Sequence, residues 1–215
     1  MRDTPDRRPL KSRGTQWAAD LTGWLAKTSV TPNQISIASM VVSACACLAL
    51  WATLYTDGLT RSLLFLAAAA FCQLRLLCNL LDGMVAVEAG KSAPDGAFWN
   101  EFPDRISDIL ILVGAGLAAS LLPLGWAAAT LAILTAYMRE LGKNCGAAAD
   151  YSGPMAKPQR MAVMIIAALA ASIEPLLHNG FFAINIALWV ISIGCIITSL
   201  RRGQKILIHL RKIVH

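Results

Sequence analysis

Where the charges fall, more than how many there are, decides what this chain can become. Residues 35–55, 62–74, 109–137, 161–173 and 181–200 contain no Asp, Glu, Lys or Arg. Of the 215 residues 56% are hydrophobic and only 15% are charged, a balance that few water-soluble domains reach. A helix that crosses the hydrocarbon core of a bilayer needs about 20 mainly apolar residues. The pattern predicts six such spans, at 33–55, 62–87, 97–120, 124–143, 159–177 and 181–200. Lipid leaves backbone groups satisfied only in helices or closed barrels, and the period-two alternation of barrel strands is missing. The expected fold is an all-α integral membrane protein with six transmembrane helices.

The N-terminal stretch MRDTPDRRPLKSRG is polar and has no apolar segment of the kind a cleaved signal carries. Cys45, Cys47, Cys72 and Cys195 lie inside apolar runs and read as small packing residues, so no disulfide framework is expected. The cations suggest an orientation. Arg2, Arg7, Arg8, Lys11, Arg13 and Lys27 precede the first span, and Lys91 lies between spans two and three. Arg139, Lys143, Lys157 and Arg160 border the loop between spans four and five. Arg201, Arg202, Lys205, Arg211 and Lys212 follow span six. The other side carries only Arg61, while Arg75 and Arg105 fall within spans two and three. The positive-inside rule then puts both termini and the 88–96 and 144–158 loops in the cytoplasm. The expected location is a bacterial inner membrane.

Three segments result: residues 1–30, 31–200 and 201–215. In the first, Trp17, Leu21, Trp24 and Leu25 recur at helical spacing. They predict an interfacial amphipathic helix with tryptophans at headgroup depth; packing of that helix on the protein itself is the alternative. Thr31 can cap a helix that begins at Pro32. The basic tail KILIHLRKIVH is either a second amphipathic helix or a strand of chain tethered by anionic lipid. No fold signature for nucleic acid accompanies the basic residues.

Six of the thirteen acidic residues, Asp82, Glu88, Asp95, Glu101, Asp104 and Asp108, are concentrated in residues 80–108. An acid inside a span is costly and is a functional candidate by default. Asn79, Asp82 and Ala86 lie at i, i+3 and i+7, on one face of span two, with Gly83 beside them. Glu101, Asp104 and Asp108 have the same spacing on span three, with Asn100 at the edge of the stripe. Together they offer oxygen ligands of the kind that hard divalent cations prefer. Gly83, Ala86 and Gly96 would let a phosphorylated ligand approach the backbone. The plainer alternative is that these acids pair with Lys91 and Arg105, or face water.

These residues carry a resemblance to the CDP-alcohol phosphotransferase family, whose motif is D-x2-D-G-x2-A-R-x8-G-x3-D-x3-D. Here it reads Asn79-x2-Asp82-Gly83-x2-Ala86-Val87-x8-Gly96-x3-Asn100-x3-Asp104, with every spacing kept and five of the eight defined residues matched. GAFWNEFPDRI resembles the family's common GAFLDPVADKV. VTPNQIS resembles its Pro-Asn start to the first span, and GPMAKPQRM its basic segment before span five. Six spans with cytoplasmic termini are also the family architecture. The resemblance implies two divalent cations, Mg²⁺ or Mn²⁺, on the diphosphate of a CDP-alcohol such as CDP-diacylglycerol. It further implies a hydroxyl acceptor, release of CMP, a phospholipid product and a homodimer.

Carried over residue by residue, the resemblance makes Asp82 a metal ligand and Asp104 the base, or both ligand and base. Asn79 and Asn100 stand at two aspartate positions and would ligate through neutral oxygen, and Val87 replaces the motif arginine. In a shifted register Asp104 is a ligand and Asp108 the base, but that places the pair four residues too far from Gly96. Glu101 and Asp108, on the Asp104 face, are expected to restore anionic charge lost at the two asparagines. Arg139, Lys143, Lys157 and Arg160 are candidates for an acceptor phosphate, and equally for plain positive-inside residues. A catalytically silent relative that binds nucleotide or lipid is the second functional reading. A small transporter is the third, disfavoured because no internal repeat and no paired broken spans are found.

Overall fold

The computed structural model describes residues 15–88, 90, 94–177 and 181–213. Among them all regular structure is helical: α1 Gln16–Ala26, α2 Pro32–Ala52, α3 Gly58–Glu88, α4 Gly96–Ala118, α5 Leu122–Asn144, α6 Lys157–Ala171, α7 Glu174–Leu177 and α8 Phe182–Ile213, with a 3-10 turn Thr53–Tyr55 after α2. Lys91 and residues 1–14, on which part of the orientation argument rests, lie outside the described residues.

The chain turns into α2 through a reciprocal cap. The Gln34 N–H donates to Thr31 Oγ1 at 3.2 Å, and the Thr31 N–H donates to Gln34 Oε1 at 3.0 Å. Pro32 takes a first-turn position, where a missing N–H removes no helical bond. Before it, α1 docks one face on α3. Ala18 packs with Leu80 and Met84, and Leu21 and Leu25 rest on Ile35, Leu81 and Val85. Trp17 and Trp24 are left exposed on the other side. The helix predicted from periodicity therefore exists, and it is packed on the protein along one face.

Helix α2 lies against α3 and α4 through a face of small residues that includes Ser36, Ser39, Ser43, Ala46 and Ala49. Small residues let helix backbones approach closely where water supplies no hydrophobic drive. Helix backbones come particularly close at two glycines. A Cβ on Gly116 would meet the Cα of Gly125 at 2.7 Å, where α4 turns into α5, and one on Gly114 would meet the Cα of Cys47 at 2.8 Å. All six cysteines are free.

Among the described residues four helical stretches are long and apolar enough to cross a membrane: Pro32–Tyr55, Gly58–Val87, Lys157–Leu176 and Phe182–Lys212. Helix α4 is set apart by Glu101, Asp104, Arg105 and Asp108. Two helices run well beyond the length a bilayer crossing needs. With 31 and 32 residues, α3 and α8 each extend about 46–48 Å at 1.5 Å per residue, against roughly 30 Å of hydrocarbon. The basic segment expected as a tail from residue 201 is instead the unbroken continuation of α8 to Ile213. It pins the loop after α5: Arg202 Nε donates to the Ser152 carbonyl at 3.1 Å, and Lys205 Nζ to Asp150 Oδ2 at 2.9 Å. Burial disfavours the charged form of Asp150, but bonds from Ser152 and Lys205 outweigh it and hold the carboxyl below the usual aspartate range.

Candidate active site

The starts of α2, α4 and α6 and the ends of α3 and α5 surround one cavity of about 800 Å³. That size suits a ligand of nucleotide or lipid-headgroup dimensions. Asn79, Asp82, Gly83 and Ala86 line it from α3, and Gly96, Asn100, Glu101, Asp104 and Arg105 from α4. Arg139, Lys157, Arg160 and Arg202 complete it from α5, α6 and α8. Asp95 accepts from Asn33 Nδ2 at 3.2 Å and from Trp99 Nε1 at 2.8 Å, which joins the start of α4 to α2.

On α3, Asp82 is only 6% exposed. The Ser36 hydroxyl of α2 donates to its Oδ2 at 2.8 Å, while Oδ1 is buried without a hydrogen-bond partner. An unsatisfied buried carboxylate oxygen is expensive, and one that lines a cavity is poised for something that enters it. Ser36 carried no signal of this role in the sequence. It faces Asp82 because α2 and α3 pack closely along their small residues.

On α4 the acids are engaged by cations. Asp104 Oδ1 accepts from Asn79 Nδ2 at 3.0 Å and from Arg75 Nη2 at 3.3 Å, and its Oδ2 accepts from Lys157 Nζ. One turn deeper, Asp108 is 0% exposed; Arg160 Nη2 donates to its Oδ2 at 2.6 Å, and Arg75 Nη2 approaches its Oδ1 at 3.5 Å. Arg160 also donates to Thr135 Oγ1 and to the Met155 carbonyl. Arg75 is fully buried between the two acids. Glu101 pairs with Arg105 and Arg139, and Arg139 lies 5.4 Å from the Tyr151 ring.

Several expected site residues therefore part company. Asp108 shares the stripe of Asp104 but does not line the cavity; it is the anionic centre of a buried Arg75–Asp108–Arg160 group. Glu101 lines the cavity with its charge spent on two arginines. Lys143 is not among the lining residues and pairs with Glu140 at 3.5 Å. Asn100 is exposed at the cavity rim. Besides Ser36, two contributors were missed. Arg75 had a signal, since an arginine amid an apolar run needs a partner. Arg202 had none, because it looked like one more residue of a basic tail. The charge of the wall is also not what the acidic cluster suggested: Arg105, Arg139, Lys157, Arg160 and Arg202 outnumber Asp82, Glu101 and Asp104.

No family model matches the chain. The inner membrane protein YnbA of Escherichia coli (strain K12) is 31% identical over 193 residues, covering 86% of this chain and 88% of that protein. The archaetidylinositol phosphate synthase of Aeropyrum pernix is 32% identical over 156 residues, covering 73% of this chain and 75% of its own. The chain belongs to the CDP-alcohol phosphotransferase family. It is an integral membrane protein. Its fold is that of a Mycobacterium tuberculosis phosphatidylinositol phosphate synthase solved with CDP-DAG bound, with a TM-score of 0.71 at 19% identity over 89% of this chain and 94% of that one. The same enzyme in complex with manganese and citrate gives a TM-score of 0.71 at 18% identity, covering 88% of each chain.

Family membership raises the question of a metal. Asp82 fits one, through its unpartnered Oδ1, with the amide oxygen of Asn79 one turn earlier on the same face. Asp104 fits one poorly, since both its oxygens already accept from cationic or amide donors. Among the described residues no three His, Cys, Asp or Glu side chains come together as a metal-binding group.

Proposed function

We propose that this protein transfers a substituted phosphate group from a CDP-alcohol, most simply CDP-diacylglycerol, to a hydroxyl acceptor in phospholipid synthesis. The observation that carries the reading is the convergence of Asp82, Gly83, Ala86, Gly96 and Asp104 on one cavity whose wall is otherwise rich in arginine and lysine. Gly83, Ala86 and Gly96 leave the backbone open to the nucleotide and its diphosphate. Arg139, Lys157 and Arg160 are the groups nearest to hand for the acceptor's phosphate, if it has one, and for charge on the transferred group. A divalent cation, Mg²⁺ or Mn²⁺, held at Asp82 and Asn79 would neutralise diphosphate charge and stabilise the departing CMP. The acceptor oxygen attacks the phosphorus that bears the diacylglycerol. The P–O bond to CMP breaks, and CMP leaves with that electron pair. Asp104 is the carboxylate assigned to take the hydroxyl proton.

The same reading has α2, α3, α4, α5, α6 and α8 as six spans, with α1 in the interface and Trp17 and Trp24 at headgroup depth. Both termini and the cavity face the cytoplasm of a bacterial inner membrane, and the working unit is a homodimer. Single cysteines at Thr60 and at Asn144, labelled from outside whole cells, check the orientation: Thr60 should label and Asn144 should not.

The decisive assay is purified protein with Mg²⁺ or Mn²⁺, CDP-diacylglycerol and a panel of alcohols, read by CMP release and product mass. Release of CMP that depends on one acceptor is the expected result. A second reading, a silent relative that binds nucleotide or lipid, is favoured by the commitment of Asp104 to Lys157 and Arg75. Tight CDP binding without CMP release across the panel would establish it instead.

A further inference from the structure

Helices α4 and α6 meet through two parallel ionic rungs. Asp104 and Asp108 are four residues apart on α4, Lys157 and Arg160 three apart on α6, so each pair projects from one face of its helix. Asp108 binds Arg160 at 2.6 Å, and Asp104 binds Lys157. The deeper rung sets the rotation of α6, since Arg160 is held also by Thr135 Oγ1 and the Met155 carbonyl. With α6 fixed in that rotation, Lys157 at its first turn is delivered onto Asp104. Pro158 at the helix start restricts the backbone around it. Lys157 is thus a placed residue rather than a loose surface lysine, and its side chain is only 19% exposed.

This matters for what the site can hold. Four aspartates at the motif positions would carry four negative charges, enough to balance two divalent ions. Here Asn79 and Asn100 leave two carboxylates, Asp82 and Asp104, and Asp104 is already neutralised. Its oxygens accept from Lys157, Arg75 and Asn79 Nδ2, which fills most of the roughly four lone-pair sites a carboxylate offers. A second divalent ion at Asp104 would have to displace the ammonium and then sit beside the Arg75 guanidinium.

We propose that Lys157 is the resident counter-cation of Asp104, standing in for a second metal, so that the site takes a single divalent ion, at Asp82. The proposal rests on the reading of the cavity as a CDP-alcohol site. It makes Lys157 a fixed charge of the site, one that need not be recruited from solution.

The test counts Mn²⁺ bound per chain, from the EPR signal of free Mn²⁺ during titration of the purified full-length protein in detergent with saturating CDP-diacylglycerol. Binding of CDP-diacylglycerol is followed separately on the same samples by thermal stabilisation. The wild type should take up one ion. Asn100→Asp alone should still take up one, because the added carboxylate does not remove the lysine. Asn100→Asp combined with Lys157→Met should take up two. Two ions in the wild type or in Asn100→Asp alone overturn the proposal, and neither result depends on the double variant folding. A folded double variant that binds one ion also overturns it. Normal thermal stabilisation alongside two ions in the wild type sinks the role of Lys157 alone, whereas no stabilisation by CDP-diacylglycerol removes the cavity assignment and the proposal with it.

Discussion

The carboxylate on α3 and the carboxylates on α4 are near neighbours in very different surroundings. Asp82 is bonded by a neutral hydroxyl and keeps a buried oxygen with no partner. Asp108 has a guanidinium at each oxygen and no exposed surface. Asp104 lies between the two extremes, on the cavity wall yet held by Arg75 and Lys157. Burial alone does not separate them, since all three are nearly inaccessible. What separates them is unmet bonding capacity. A buried acid whose partners are supplied by its own chain stabilises a helix arrangement, and one left short of partners is set aside for a ligand.

The strongest way to break that contrast is at Asp108. Asp108→Asn leaves Arg160 and Arg75 without their shared anion, and removal of one partner from a buried pair typically costs about 3–5 kcal/mol. A large fall in thermal stability in detergent is expected. A wild-type melting temperature with activity lost outright would instead make Asp108 part of the chemistry. Asp82→Asn is the converse case. It should abolish CDP-dependent divalent-ion binding and lower CMP release by more than the ~10–100-fold that loss of a group behind a metal ligand produces, while the melting temperature moves little. If it melts as early as the Asp108 variant, Asp82 is structural and the contrast fails.

Ser36→Ala sharpens the comparison at smaller scale. It removes the donor that orients Asp82, so turnover should fall about 10-fold with a stability change near 1 kcal/mol. An unchanged metal affinity would show that Ser36 does not orient Asp82. The smallest effect belongs to Asp150, an acid outside the cavity that is paired at the surface with Lys205. Its folded pKa is depressed by that pairing and by Ser152. Its contribution is therefore present above the ordinary aspartate pKa and lost as pH falls through the lower folded value. Asp150→Asn should cost no more than about 1 kcal/mol, and the difference from wild type should vanish in acid, as melting curves across pH would show.

Much of the scaffold was legible in the sequence. Thr31 and Pro32 announced the start of α2, and apolar runs located the helices that follow. The spacing of Asn79, Asp82, Gly83 and Ala86 placed them together because one helical face is fixed by the 3.6-residue period alone. The same period put Asp108 on the Asp104 face without reporting how deep it lies. A helical stripe gives the direction of a side chain around the axis but not its depth along it, and four residues carry Asp108 about 6 Å further in. Its partner Arg160 is 52 residues away in sequence, a separation that no local pattern reports. The pairing of Lys157 with Asp104 and the place of Arg202 in the cavity wall were hidden for another reason. A cation that follows the positive-inside bias looks identical whether it meets water or a buried acid.

The long reach between those partners bears on how the protein is made. On the six-span reading proposed above, Arg75, Asp108 and Arg160 come from α3, α4 and α6, so a chain inserted from its N-terminus presents them to the membrane one after another. An unpaired charge at mid-helix carries a penalty of about 2.5–3.5 kcal/mol on insertion scales, and Arg75 bears it until α4 arrives. Asp108 then holds one arginine and waits for the other. The arrival of α6 completes the group and, by the same contact, brings Lys157 to the cavity. A nascent chain halted before α6 would hold an incomplete charge network and an incomplete pocket together, so that quality control in the membrane could recognise the unfinished protein by the same defect that makes it inactive.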